Sequence, residues 1–456
     1  MKTKVELILH IIIFAIVLTT IGSAQQPLEL TIEQAIQLGL ENSRLLHSSL
    51  INVQAAYAKS SEVNTVRLPS LKFGGSYTRL SDVPSFQATV PAGAFGSGFP
   101  PQTVTFPLSH TVTDNYNFRV NFQQPLFTGF RLQSSVDIAD YTARAAEQEY
   151  QRDKSELIYN IKNAYWNVFK ASEFKKVVDE NVEQVRAHLT DVRNLMSQGM
   201  MTTNDVLKVE VQLSNAKLIQ IDANNNMRLA MITLNNIIGQ PLNTEIRLAS
   251  KPEQPDPQLE DKAIDVNEFV RQALEHRSEI KAMQFRKAAG EAGVTFARSG
   301  WFPQIYLTGN YYYARPNPRI VPTLDRFKDT WDIGVTASFD IWNWGSTIHQ
   351  TEQAQAQLAQ VQDALEQLED AITLEVTQHF LELKKAKERI AVSEKAVSQA
   401  EENYRVTNEK FKLGLASNSD LLDAEVALLQ AKTNYTQSLV DYELAQARLQ
   451  KSLGGE

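Results

Sequence analysis

Phe411-Lys412-Leu413-Gly414-Leu415-Ala416-Ser417-Asn418-Ser419-Asp420-Leu421-Leu422-Asp423 has a counterpart 215 residues upstream, Met196-Ser197-Gln198-Gly199-Met200-Met201-Thr202-Thr203-Asn204-Asp205-Val206-Leu207-Lys208. Each copy has a glycine able to end one helix in the left-handed conformation. A hydroxyl residue follows, and three positions on an aspartate able to cap the next helix. The match reaches far beyond the turn. Residues 125–239 and 340–454 align without a gap at this offset, and Ala216 falls on Ala431, Leu234 on Leu449 and Gly239 on Gly454. Upstream the repeat continues at an offset of 234, with Leu40 on Leu274, Pro69 on Pro303 and Tyr77 on Tyr311, so the two offsets differ by 19 residues. Two copies of one unit, with one unequal loop, predict a pseudo-symmetric architecture.

Outward from each turn run long segments free of proline and glycine, Gly129 to Gly199 and Gly345 to Gly414. As helices each would reach roughly 100 Å at 1.5 Å per residue. In the second, Val376, Leu383, Ile390, Val397, Tyr404 and Phe411 recur every seven residues; in the first, Ile161, Val168, Val182, Leu189 and Met196 keep the stripe, interrupted by Lys175. That spacing predicts left-handed coiled packing. Return helices end at Gly239-Gln240-Pro241 and Gly454-Gly455. Each half also opens with a helix, from Thr31 (with Gln34 at capping-box spacing) to Leu68-Pro69, and from Asp265 (with Glu268) to Phe302-Pro303.

Between opening and long helices lie four segments of period two. They run through Leu71, Phe73 and Tyr77; Asn115 to Gln123; Ile305, Leu307, Tyr311 and Tyr313; and Trp331, Ile333, Val335, Ala337, Phe339 and Ile341. Half-buried strands of a soluble sandwich would alternate in the same way. Two features favour a membrane barrel instead. Trp301, Trp331, Trp342 and Trp344, with Phe127, Phe130 and Phe302, sit at strand ends, where a transmembrane barrel carries its aromatic girdles. Four strands also leave two open edges, which lipid does not tolerate, so other subunits would complete the sheet.

Lys2 and Lys4, the apolar run Ile8 to Ile21 and Gly22-Ser23-Ala24 read as a signal peptide over 1–24. The first repeat then spans 25–239, a proline-rich connector 240–263 and the second repeat 264–456. With no cysteine in 456 residues there are no disulfides or thiolate metal sites, and the net charge of −8 argues against a nucleic-acid partner. No catalytic motif and no histidine ligand spacing appears, so no enzyme, cofactor or metal is expected.

At the turns, Asp205 and Asp420 fit both a capping role and a role of their own. Asp423 stands opposite Lys208, so the repeat does not require it, and it lies one helical turn beyond Asp420 on the same face.

The duplicated order of helix, strand, strand, very long helix, glycine turn and return helix resembles the TolC-type outer-membrane efflux family over essentially the whole mature chain. The turn quoted above is the most specific piece. The resemblance implies a mixed α and transmembrane β-barrel fold: three chains, each giving four strands, close a twelve-stranded barrel in the outer membrane, continued by a helical tube into the periplasm. Loops 80–114 and 314–330 would face outward. It implies an acidic ring at the periplasmic entrance from Asp420 and Asp423, and inter-tip contacts from Asn204 and Asp205 to Phe411 and Ala416. The arginine and tyrosine expected at those last two positions are absent. Gln198, Gly199, Met200, Leu413, Gly414 and Leu415 would meet a periplasmic adaptor coupled to an inner-membrane transporter. The duct would export small toxic molecules or secreted polypeptide. Its rivals are a coiled-coil stalk or adhesin, and a diffusion porin.

Overall fold

The computed structural model describes residues 28–81, 87–94, 102–107, 112–252 and 265–455. The expected signal peptide lies outside them, as do parts of loop 80–114 and of the connector. The first half gives β1 (Leu28–Leu30), α1 (Ile32–Asn42), α2 (Arg44–Thr65), β2 (Ser70–Arg79), β3 (Gln87–Val90), β4 (Val104–Pro107), β5 (Asp114–Phe127), α3 (Arg131–Ser197) and α4 (Thr203–Ile237). Then follow β6 (Ile246–Leu248), α5 (Val266–His276), α6 (Ser278–Arg298), β7 (Gln304–Arg315), β8 (Lys328–Ser338), α7 (Ser346–Lys412) and α8 (Asn418–Ser452).

Capping chemistry sets the helix starts. At α1 the Thr31 hydroxyl accepts from the Gln34 amide, and Gln34 Oε1 accepts from the Thr31 amide. The single helix expected up to Leu68 is, however, two. The chain breaks at Ser43 (ψ 115°), whose Oγ accepts from the Leu46 amide and restarts the helix. The second copy breaks at Arg277 (ψ 132°), the position that the 234-residue offset pairs with Ser43. There the buried guanidinium is held by Glu279 at 3.0 Å and Glu375 at 2.8 Å. Asp265 departs from the expected box, capping the Asn267 amide while Glu268 pairs with Arg271.

The long helices α3 and α7 have 67 residues each, and α4 and α8 have 35 each. Val376, Ile390 and Phe411 of the heptad stripe are buried, as are Ile161, Val168 and Val182 of the first. Lys175, which interrupts it, pairs with Asp179, and Asp179 also accepts from Gln220 of α4 at 2.7 Å. The polar layer is thereby neutralised rather than left unpaired.

Packing divides the chain into two compact units, and each draws on both copies of the repeat. One comprises Met1–Asn52, Glu147–Ala282 and Glu366–Glu456. Its larger core gathers Leu30, Ile161, Val168, Leu234, Ile238 and Val440 around Tyr165. The Tyr165 hydroxyl donates to the Leu30 carbonyl and accepts from the Ser250 amide, both at 3.0 Å. These bonds pin the parallel β1–β6 ladder to α3. A second core, of Val185, Leu189, Val192, Val206, Val209, Phe411 and Leu421, joins the turns of the two helical hairpins.

The other unit, Val53–Ala146 with Met283–Leu365, holds an antiparallel sheet in the order β2-β5-β7-β8. β2 and β8 are its open edges. β8 stops at Ser338, so Phe339 and Ile341, expected to continue the alternation, lie beyond the strand. A small hairpin, β3 with β4, lies within loop 80–114 and was not foreseen from the sequence.

Candidate functional site

Register places the apolar residues of all four strands on one face. Leu71 lies opposite Phe122, Phe73 opposite Val120, Val120 opposite Tyr311, Tyr311 opposite Trp331 and Leu307 opposite Val335. This face is not covered: Leu71 is 72% exposed, Phe73 73%, Trp331 71%, Ile333 66% and Val335 64%. A solvent-facing apolar patch of this size marks a surface that meets lipid or protein. The opposite face is polar. Asn121 donates to Asn310 and Asn310 to Asp332, each at 2.9 Å, and Arg319 meets Asp332 at 2.6 Å while stacking 4.5 Å over Tyr312.

The seven aromatic residues singled out in the sequence fall into two groups. Phe127, Phe130 and Phe302 pack edge to face with centroids 5.8–6.4 Å apart, beside Trp301, where the strands join the helices. Trp342 and Trp344 pack together at 5.7 Å just after β8. Trp331 lies toward the other end of the sheet, where Tyr77, Tyr116, Tyr313 and Phe327 also cluster. Those four were missed, although Tyr77 and Tyr313 end their strands' alternation.

The residues entering the long helices explain two unusual backbone conformations. Gly129 (φ 62°) and Phe130 (φ 69°) are both left-handed, and so are Trp344 (φ 57°) and Gly345 (φ 79°). The 215-residue offset matches Gly129 with Trp344 and Phe130 with Gly345, so the bend is kept while glycine and aromatic change places. A Cβ on Gly129 would stand 2.5 Å from Phe302 Cβ and 2.8 Å from the Ser299 carbonyl oxygen.

Both hairpin turns close identically. Gly199 (φ 77°) and Gly414 (φ 72°) end α3 and α7, with Met200 donating to Leu195 and Leu415 to Lys410. Gln198, Met200, Leu413 and Leu415 are exposed around these glycines. Asp205 and Asp420 are caps: Asp420 Oδ2 accepts from the Ser417 amide at 2.9 Å and its hydroxyl at 2.7 Å, and Asp205 does the same with Thr202. The Ser417 hydroxyl and then its amide hold the Asp420 carboxyl below the usual aspartate range, and Thr202 does so for Asp205. Asp423 is exposed and engages no described residue.

Between the tips, the four residues expected to touch contribute unequally. Phe411 is buried in the shared core, its ring 5.2 Å from that of His188, and Ala416 packs against the same core. Asp205 takes part through its carbonyl, which accepts from Asn418 Nδ2 at 3.2 Å. Asn204 is exposed. Asn418 and the buried His188–Glu425 pair were missed; a buried asparagine inside the quoted turn gave no periodic signal.

Among the described residues no cluster of three or more His, Asp or Glu side chains could hold a metal ion, and no helix is long and apolar enough to cross a membrane.

Residues 35–240 and 269–455 match the family described as outer membrane efflux protein. The chain is 23% identical over 342 residues to outer membrane protein TolC of Vibrio cholerae, covering 74% of this chain and 76% of that one. It is 21% identical over 423 residues to TolC of Escherichia coli K12, covering 90% and 79%. Its fold is similar to the crystal structure of VceC from Vibrio cholerae, with a TM-score of 0.75, 19% identity, and coverage of 93% and 96%. With both halves of the repeat matched, this chain belongs to the outer membrane efflux protein family, as an outer-membrane export channel and not an enzyme.

Proposed function

We propose that three copies of this chain close their sheets into one twelve-stranded barrel in the outer membrane, continued by the long hairpins as a tube in the periplasm. The exposed apolar sheet face with two open edges carries this reading. Lipid would cover the face, and neighbouring copies would pair the edges of β2 and β8. A second observation supports the oligomer. On α4, Leu207, Val211, Leu218, Ile221, Leu229 and Ile232 are all exposed and fall within one helical stripe, an apolar seam without a partner in the single chain. The aromatic group at the helix junction and the group around Trp331 would then mark the two membrane interfaces.

The duct would be passive, carrying small toxic molecules or secreted polypeptide. The exposed Met200, Leu413 and Leu415 would dock a periplasmic adaptor that links it to an inner-membrane pump. Asp423, with Asp420, would line an acidic entrance. A coiled-coil stalk has no use for the exposed strand face, and a diffusion porin has none for 67-residue helices.

Block by multivalent cations tests the entrance. Asp423→Ala should weaken block from the periplasmic side of a planar bilayer without touching a cap. Unchanged block would leave Asp423 an ordinary surface charge.

A further inference from the structure

The core between the hairpin tips is apolar, and besides the Asn418 contact to the Asp205 carbonyl it encloses one ionisable pair. His188 of α3 and Glu425 of α8 are among the most deeply enclosed polar side chains, 2% and 1% exposed, with Nδ1 and Oε1 3.3 Å apart. Despite this approach neither group reaches hydrogen-bonding geometry, and both His188 nitrogens and both Glu425 oxygens lack a protein partner. Gln184 Nε2 and Asn418 Oδ1, in the same region, lack one too. Tyr404 of α7 packs against the same core, where burial first and then the charge of Glu425 raise the pKa of its phenol. Phe411, Leu189, Val192 and Leu421 belong to that core.

The repeat shows that this arrangement is not demanded by the hairpin. The 215-residue offset pairs Glu425 with Glu210 and His188 with Asn403. Glu210 has an ordinary, partly exposed ion pair with Arg193 at 2.6 Å. The position matching Arg193 in the second copy is Asn408, so Glu425 loses that partner and turns to a histidine of the other hairpin.

Burying such a pair forfeits the hydration of both groups, and the mutual attraction recovers it only with good geometry and satisfied hydrogen bonds. Here no protein hydrogen bond adds to the pair's own approach at 3.3 Å. Parting the tips would rehydrate His188 and Glu425 while exposing the apolar core, so the two contributions oppose each other.

We propose that the His188–Glu425 pair is the release element of the tip seam. It registers the two hairpins while keeping the closed seam near balance with the parted one, a two-state element at the entrance. This rests on the export-duct reading, which supplies the reason for the tips to part.

The sign of the effect distinguishes release from support. Removing one member strands the other as an unpaired buried group, whereas replacing both with apolar side chains of similar volume tends to stabilise. The native chain has no cysteine, so nitroxide labels on Gln198→Cys and Leu413→Cys report tip separation in the full-length purified oligomer by double electron–electron resonance. In His188→Leu the parted population should rise by at least about tenfold. In His188→Leu with Glu425→Met it should fall below that of the parent. Parting in the double variant equal to or above the parent overturns the proposal, and the double variant alone decides the matter if the single one does not fold. Conductance of the same samples in planar bilayers keeps the two readings apart. Distances that shift as expected without any conductance defeat the duct. Conductance with unmoved distances defeats the release element.

Discussion

Val335→Arg puts a charge at the middle of the exposed apolar face, and its cost depends on what that face meets. Val335 lies four residues from Trp331, exposed on the same side, and three from Ser338, where β8 ends. At about 3.3 Å per residue Trp331 to Ser338 spans roughly 23 Å of strand, or about 18 Å of depth at the usual barrel tilt. Val335 is therefore roughly 10 Å from one end and roughly 8 Å from the other, near the midplane of an apolar band. An arginine there should cost about 2–4 kcal/mol per chain, as found for lipid-facing barrel positions at that depth. In water the same substitution at a 64%-exposed site should fall within about 0.5 kcal/mol of the parent. Thr336, the next residue, points to the polar face and supplies the control. Urea titration of folding into lipid vesicles, read by the mobility shift of folded oligomer on unheated gels, gives both values. Equal effects of Val335→Arg and Thr336→Arg would refute the lipid-facing assignment.

Three further outcomes follow from particular contacts. Gly129→Ala should lower the yield of folded oligomer on unheated gels, because the left-handed φ of 62° and the 2.8 Å approach to the Ser299 carbonyl leave no room for Cβ. Tyr165→Phe should cost about 1 kcal/mol in denaturant titration, since the Ser250 amide loses its acceptor while the Leu30 carbonyl keeps the Ala249 amide. The caps at Asp205 and Asp420 have folded pKa values lowered by Thr202 and Ser417, so their contribution is complete above about pH 4 and fades as pH falls through the lowered values. Amide exchange at the turns, corrected for intrinsic rates, should speed up at pH 3 relative to pH 6; unchanged protection would contradict the capping account.

Much of the fold is legible because it depends on local periodicity. Phe118, Val120 and Phe122 alternate strictly, and no proline or glycine falls between Arg131 and Ser197, so strand and long helix each have a signal within reach of a short window. The helix breaks at Ser43 and Arg277 are not legible in that way. Arg277 leaves the helix where Glu375, 98 residues away, receives its guanidinium, and neither residue is a breaker by type. The tips divide along the same line. Gly199, Gly414 and the capping aspartates follow from spacing alone. Asn418 to the Asp205 carbonyl, and His188 to Glu425, depend on how two hairpins are set against each other, which no single stretch of sequence encodes. Asp420 shows the opposite lesson: its capping bonds are local and readable, whereas a role at an entrance needs copies of the chain around an axis.

Single-channel recording of the purified oligomer in planar bilayers addresses the central claim most directly. An oligomer that survives unheated SDS as a trimer and gives discrete, uniform conductance steps is the predicted result. Well-folded oligomer that never conducts would contradict the account.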